Sequence, residues 1–122
     1  MVEIRNNSKG FVISSDAQLR DSFWGRFRGL MLSRRKDIVL AVAKEGVLSS
    51  TIHMMFMLYS IDVVWVSSDM RVVDVRQNVP PFNPLNAHSW GMHKPDSAAK
   101  YVVEIADGDI GQTQKGDVLE FI

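Results

Sequence analysis

Two β-branched runs, Ile61–Val66 and Met70–Val79, are parted only by Ser67-Ser68-Asp69. No other feature of the chain restricts its fold so tightly. Side chains branched at Cβ lose rotamer freedom in a helix but pack well on a pleated surface. A short polar break between two such runs predicts an antiparallel hairpin. Alternation along Met70–Arg76 sets Arg71, Val73 and Val75 on one face, and Val72, Asp74 and Arg76 on a second, wetter face.

The same reading extends along the chain. Val2–Asn6 and Gly10–Ser14 are predicted strands split by the turn cluster Asn7-Ser8-Lys9. Ile38–Ala43 and Gly46–Leu48 flank Lys44-Glu45, and Thr51–Leu58, Lys100–Ala106 and Asp117–Ile122 complete the strand set. Asp107–Gly111 is expected to be a turn or short helix. One helix is predicted over about residues 19–31, because Leu19, Phe23, Trp24, Phe27, Leu30 and Met31 fall within about a 140° arc at helical spacing. With neither repeats nor linkers, residues 1–122 read as a single domain. The expected class is α+β and mostly antiparallel: a small β-sandwich or barrel-like domain of about seven or eight strands with one packed helix.

Composition narrows the chemistry. The absence of cysteine removes disulfides, thiol nucleophiles and thiolate metal sites, and is compatible with a reducing, cytoplasmic setting. The start of the chain lacks the apolar core of a signal peptide, and the longest apolar run, Met54 to Tyr59, is too short to span a bilayer. Basic and acidic residues number 14 each, so a protein that coats nucleic acid is disfavoured. The charge is unevenly placed, however: residues 1–36 hold eight basic and three acidic side chains. A solvated or internally paired basic face accounts for this more simply than RNA binding, because the interleaved aromatics belong to the predicted core stripe.

The order of Arg28-Gly29-Leu30-Met31, His53-Met54-Met55-Phe56-Met57, Ile61–Val66, Val79-Pro80-Pro81, Tyr101–Glu104 and Gly116-Asp117-Val118 resembles the uncharacterised family known as domain of unknown function 192. The resemblance covers about residues 17 to 122. It implies a small sandwich-like β fold with one packed helix, and it implies no activity. Members commonly have a Trp-Met-Lys-Asn-Thr-like segment where this chain has Met55–Tyr59, and the polar pair of that segment is missing here.

Candidate site residues come from polar groups in apolar or irregular settings. Asp62, inside an apolar run, needs partners or a raised pKa. An ion pair with Arg28, or a turn cap after Ser60, would satisfy it. The stretch from Pro80 to Ala99 concentrates proline, asparagine, His88, Trp90 and His93, as functional loops often do. The leading expectation is therefore a non-catalytic module that binds a small molecule or a protein through Arg28, His53, Asp62, His88, Trp90 and His93. An alternative is a small-metabolite enzyme of hydrolase or isomerase type, with Asp62 as general acid or base beside Arg28 and His53 or Tyr101; Glu104 is a second candidate acid, more simply read as an exposed strand residue. A third is a structural or assembly subunit. Methionines and histidines at 53–57 and 88–93 would suit monovalent copper, but core packing explains the methionines, so no metal or cofactor is expected. The expected state is a monomer or weak homodimer.

Overall fold

The computed structural model describes residues 2–20, 37–46, 52–53, 60–79, 92–93, 95 and 97–122. Among these residues the strands are β1 (Val2–Asn6), β2 (Phe11–Arg20), β3 (Asp37–Gly46), β4 (Ile52–His53), β5 (Ile61–Val66), β6 (Val72–Val79), β7 (Met92–His93), β8 (Ala99–Ile105) and β9 (Leu119–Phe121). Seven form one sheet in the order β6-β5-β8-β3-β2-β1-β9, while β4 and β7 make a separate ribbon. Every pairing is antiparallel except β2 with β3. A parallel pair cannot be joined by a tight turn and needs a crossover connection; the residues between β2 and β3 lie outside the described residues.

The sheet curls until its two outermost strands meet. Leu119 N–H donates to the Met70 carbonyl at 2.9 Å, Val72 N–H to the Asp117 carbonyl at 2.8 Å, and Gly116 N–H to the Val72 carbonyl at 2.9 Å. Arg71 and Val118 form a β-bridge at the same place. One apolar cluster then draws on all seven strands: Ile4, Ile13 and Ala17, Val39, Val64 and Val66, Val72, Val103 and Ile105, and Leu119. Only a sheet rolled around those side chains lets every strand reach one core, so the fold is the barrel-like alternative.

The neighbouring positions on three adjacent inner strands, β5, β8 and β3, point the other way. Ile38 and Leu40, Ile61, Val63 and Trp65, and Val102 form a second buried cluster. β3, β5 and β8 are thus apolar on both faces, which explains why their sequences read as continuous runs rather than as alternations.

The hairpin β5–β6 is where the sequence puts it. Met70 N–H bonds the Ser67 carbonyl and Ser67 N–H bonds the Arg71 carbonyl, with Met70 at φ 69°. This is a three-residue loop ending in a left-handed residue, a position that glycine commonly fills. Half-buried contact of Met70 with the interior cluster offsets that backbone cost.

Three expectations are corrected. The helix does not begin at Leu19: Leu19 and Arg20 lie in β2, in parallel register with Val39 and Leu40, and Leu19 is 55% exposed. Inter-strand hydrogen bonding overrides the helical spacing there, and no helix occurs among the described residues. Residues 21–31 of that expectation lie outside the described residues. The run Ile38–Ala43 does not stop at Lys44; β3 continues to Gly46, with its register against β8 slipping between Ala41 and Gly46. Finally, the wetter face of β6 is not the solvent face, since Val72 and Asp74 are both buried.

Candidate functional site

A groove of about 450 Å³ opens along the seam of the barrel. One wall is β6, through Asp74, Val75 and Gln77. The other is the loop before β9, Gly111 to Lys115. β6 meets the β9 side only at its start; beyond Val72, its described ladder runs to β5 alone.

The bends of β6 create this separation. Against β5, the strand spends an extra residue between Val72 and Asp74 and another between Arg76 and Val79. Such bulges increase local twist and carry an edge away from its neighbour. The second bulge contains Asn78 at φ 53°, and its N–H donates to the Asp62 carboxylate at 2.9 Å. Asp62 therefore holds the distorted end of the wall from which Gln77 projects.

The opposite wall is pinned by two buried carboxylates. Oδ1 of Asp37 accepts from the N–H groups of Ala106 and Asp107 at 2.8 Å, and its Oδ2 accepts from Gly108 N–H at 2.9 Å and the Ser14 hydroxyl at 2.6 Å. A side chain at Gly108 would place its Cβ 2.4 Å from the Ile13 carbonyl, so only glycine allows this approach. Further along, Asp117 accepts from Lys9 Nζ at 2.7 Å, from Asn6 Nδ2 at 2.9 Å and from Gln114 N–H at 3.1 Å. Burial alone pushes the Asp117 carboxyl up. The Lys9 ammonium, the Asn6 amide and the Gln114 N–H outweigh that, holding it below its ordinary value. The Thr113 hydroxyl donates to the Ile110 carbonyl and accepts from Asn6.

Between these pins, Gln112, Gln114 and Lys115 stand exposed, facing Gln77 across the groove. Asp74 is only 4% exposed. Its Oδ1 accepts from Val75 N–H at 2.8 Å and its Oδ2 lies 3.7 Å from the Arg76 guanidinium. The result is a pre-formed polar trough with amide groups on both sides and a charge-compensated carboxylate in one wall. Such a trough can hold a ligand by hydrogen bonds without requiring a charge on it.

The residues expected from sequence are distributed differently. Arg28, His88 and Trp90 lie outside the described residues. His53 and His93 fall in the small ribbon, where the register pairs His53 with Met92 and Ile52 with His93; their side chains are outside the description. Asp62 accepts from the Asn78 N–H at the second bulge, while Arg28, its expected ion-pair partner, lies outside the described residues. Tyr101 packs edge-to-face on Phe121 with ring centroids 5.2 Å apart. Glu104 is fully buried, not an exposed strand residue, and stands in register with Ile38 and Val63. Among the described residues no three histidine, cysteine, aspartate or glutamate side chains are grouped to hold a metal. Part of the basic N-terminal charge is paired internally, through Lys9 with Asp117. Gln77, Gln112 and Gln114 were not singled out by sequence, although two glycines bracketing Gln112-Thr113-Gln114-Lys115 mark a polar loop held at two bends.

Fold and groove together define a small curled, barrel-like sheet, seven-stranded among the described residues, with a polar trough at its seam. The chain belongs to the family described as domain of unknown function 192, an uncharacterized ACR, whose model matches residues 3–121. A UPF0127 protein of Thermococcus gammatolerans is 37% identical over 119 residues, covering 96% of this chain and 70% of the relative. A UPF0127 protein of Pyrococcus abyssi is 33% identical, covering 98% of this chain and 97% of its own length. Two crystal structures share the fold. A protein of unknown function from Novosphingobium aromaticivorans has a TM-score of 0.74 at 18% identity, over 98% of this chain and 82% of the other. A Sinorhizobium meliloti protein, provisionally described as a transcription regulator, has a TM-score of 0.76 at 19% identity, over 98% and 91%. No described helix is long and apolar enough to cross a membrane.

Proposed function

We propose that this protein is a non-catalytic binding module of the cytoplasm that takes a small polar ligand into the seam groove. The observation that carries the reading is the convergence of exposed Gln77, Gln112 and Gln114 on a trough whose two walls are held rigid from behind. Pre-formed walls reduce the ordering cost of binding, so a few hydrogen bonds can give useful affinity. Among the described buried acids, Asp37, Asp74 and Asp117 each accept from backbone N–H groups, which supports a binding role for the groove over a catalytic one. A cysteine-free chain suits a reducing compartment.

The test is a titration of the full chain, followed through its glutamine side-chain amide resonances, with monosaccharides, free amino acids, nucleotides and short peptides. One class of compound is expected to shift the amides of Gln77, Gln112 and Gln114 while leaving those on the far side of the barrel in place. The double change Gln77→Ala and Gln112→Ala should abolish the response without altering Tm. Shifts that cluster elsewhere, or persist unchanged in the double variant, would remove the groove from consideration.

A further inference from the structure

We infer that the ligand of the seam groove is a linear, uncharged, hydroxyl-rich chain, an oligosaccharide of several units; this rests on the binding-module reading above. The trough does not end at the loop. Gly111 and Gln112 also line a second hollow, of about 220 Å³, together with Phe11, Val12 and Asp109. Phe11 and Val12 in turn line a third, of about 120 Å³, at the β1–β2 turn beside Arg5, Asn7 and Gly10. Shared lining residues set these three hollows side by side, from β6 over the 111–115 loop to the first hairpin. A single sugar-sized molecule occupies one hollow, whereas only a chain molecule touches all three.

The lining sets the chemistry of that chain. The amides of Gln77, Gln112 and Gln114 each donate and accept, as a hydroxyl does, and Lys115 adds an ammonium from which a hydroxyl oxygen can accept. Arg5 is paired with Glu3 at 2.6 Å, and Asp109 accepts from the Gly111 N–H at 2.8 Å. Asp74 lies beside Arg76, so its charge is compensated within the protein and calls for no cation in the ligand. In the second hollow the half-buried Phe11 ring adjoins Gly111, where φ is 56° and a Cβ would lie 3.1 Å from the ring. The missing side chain brings the loop against the aromatic ring and sets Gln112 next to it. An aromatic surface with neighbouring amides suits rings that have apolar faces and hydroxylated rims.

An extended peptide fits less well. Strand addition needs a regular edge with free main-chain groups. β6 is bulged twice, and its Val75 N–H is already taken by the Asp74 carboxylate.

The experiment titrates the full chain with glucose, with six-unit neutral oligomers of glucose, mannose and N-acetylglucosamine, and with an uncharged hexapeptide. The readouts are the glutamine amide resonances and the Phe11 ring resonances. At least one oligomer is expected to shift both sets and to bind about tenfold or more tightly than its single sugar. Phe11→Leu and, separately, Gln112→Ala should each weaken that oligomer about tenfold. Gln112 is exposed, so its variant remains informative even if Phe11→Leu loosens the core. Equal affinity for glucose and the oligomers would overturn the chain-like ligand and leave the binding module standing. Shifts from the hexapeptide alone would overturn the saccharide but not the groove. No shift from any oligomer overturns the inference. Silence across the wider panel of the preceding section as well would overturn both readings.

Discussion

At the scale of single residues, buried carboxylates do the work that glycine and proline do in simpler loops. Asp37 gathers three consecutive N–H groups and a hydroxyl, and a charged acceptor strengthens each of those hydrogen bonds. Asp117 does the same for Asn6, Lys9 and Gln114. Because the Asp117 carboxyl is held below the 3.8 of an unperturbed aspartate, the folded state binds this proton less readily than the unfolded chain. Its stabilisation is therefore complete above that ordinary value and is lost as pH falls through it toward the lower folded value. Urea midpoints measured between pH 6 and pH 2.5 should drop more steeply for the native chain than for Asp117→Asn, which is less stable at pH 6 and loses less on acidification. Parallel pH profiles would show that Asp117 is not among the groups that set acid stability.

At the scale of elements, β6 decides where the molecule can bind anything. Its hairpin with β5 is legible in sequence because the β-branched runs and the Ser67-Ser68-Asp69 break state it locally. Its two bulges are not, since each depends on which β5 residue stands opposite. Asn78, left-handed at φ 53° and tethered by Asp62, is the joint of the second bulge. Asn78→Gly should leave stability within about 0.5 kcal/mol of the native chain, since glycine adopts this conformation freely. Asn78→Val should cost about 1–3 kcal/mol, as a β-branched residue resists it. Chemical denaturation of both variants checks the pair; equal stability would mean that the strand end relaxes out of the bulge. If the bulge also shapes the groove, Asn78→Val should move the Gln77 resonances even without ligand.

At the scale of the whole molecule, β9 pairs with β1 on one side and closes onto the start of β6 on the other. Glu3 and Ile122 exchange hydrogen bonds at 2.9 Å in both directions, and the β9 side returns to the start of β6 through Val72 and Leu119. The amides of Glu3, Val72, Leu119 and Ile122 should therefore be protected in hydrogen exchange, with Val72 and Leu119 opening together because they share the seam. Fast exchange at Val72 and Leu119, with β5 and β8 still protected, would describe an open curled sheet instead. The seam then also bounds the groove: closure at Val72 and separation beyond it are one geometric fact.

The chain by itself determined the strand-rich class, the β5–β6 hairpin, the strands at both ends and the family, because these are written in local alternation, turn chemistry and ordered short motifs. It pointed to Asp62 as a carboxylate needing a partner, and one group that reaches it is a backbone N–H sixteen positions away. At Leu19 and Arg20 the helical spacing misled, because there the hydrogen bonds of β2 to β3 outweigh a periodicity of side chains. Asp74 was assigned to a wet face because alternation tells two faces apart without saying which one the barrel encloses. The groove was out of reach for the same reason. Its walls come from residues 74–77 and 111–115, separate in sequence, and only the rolling of the sheet brings them together.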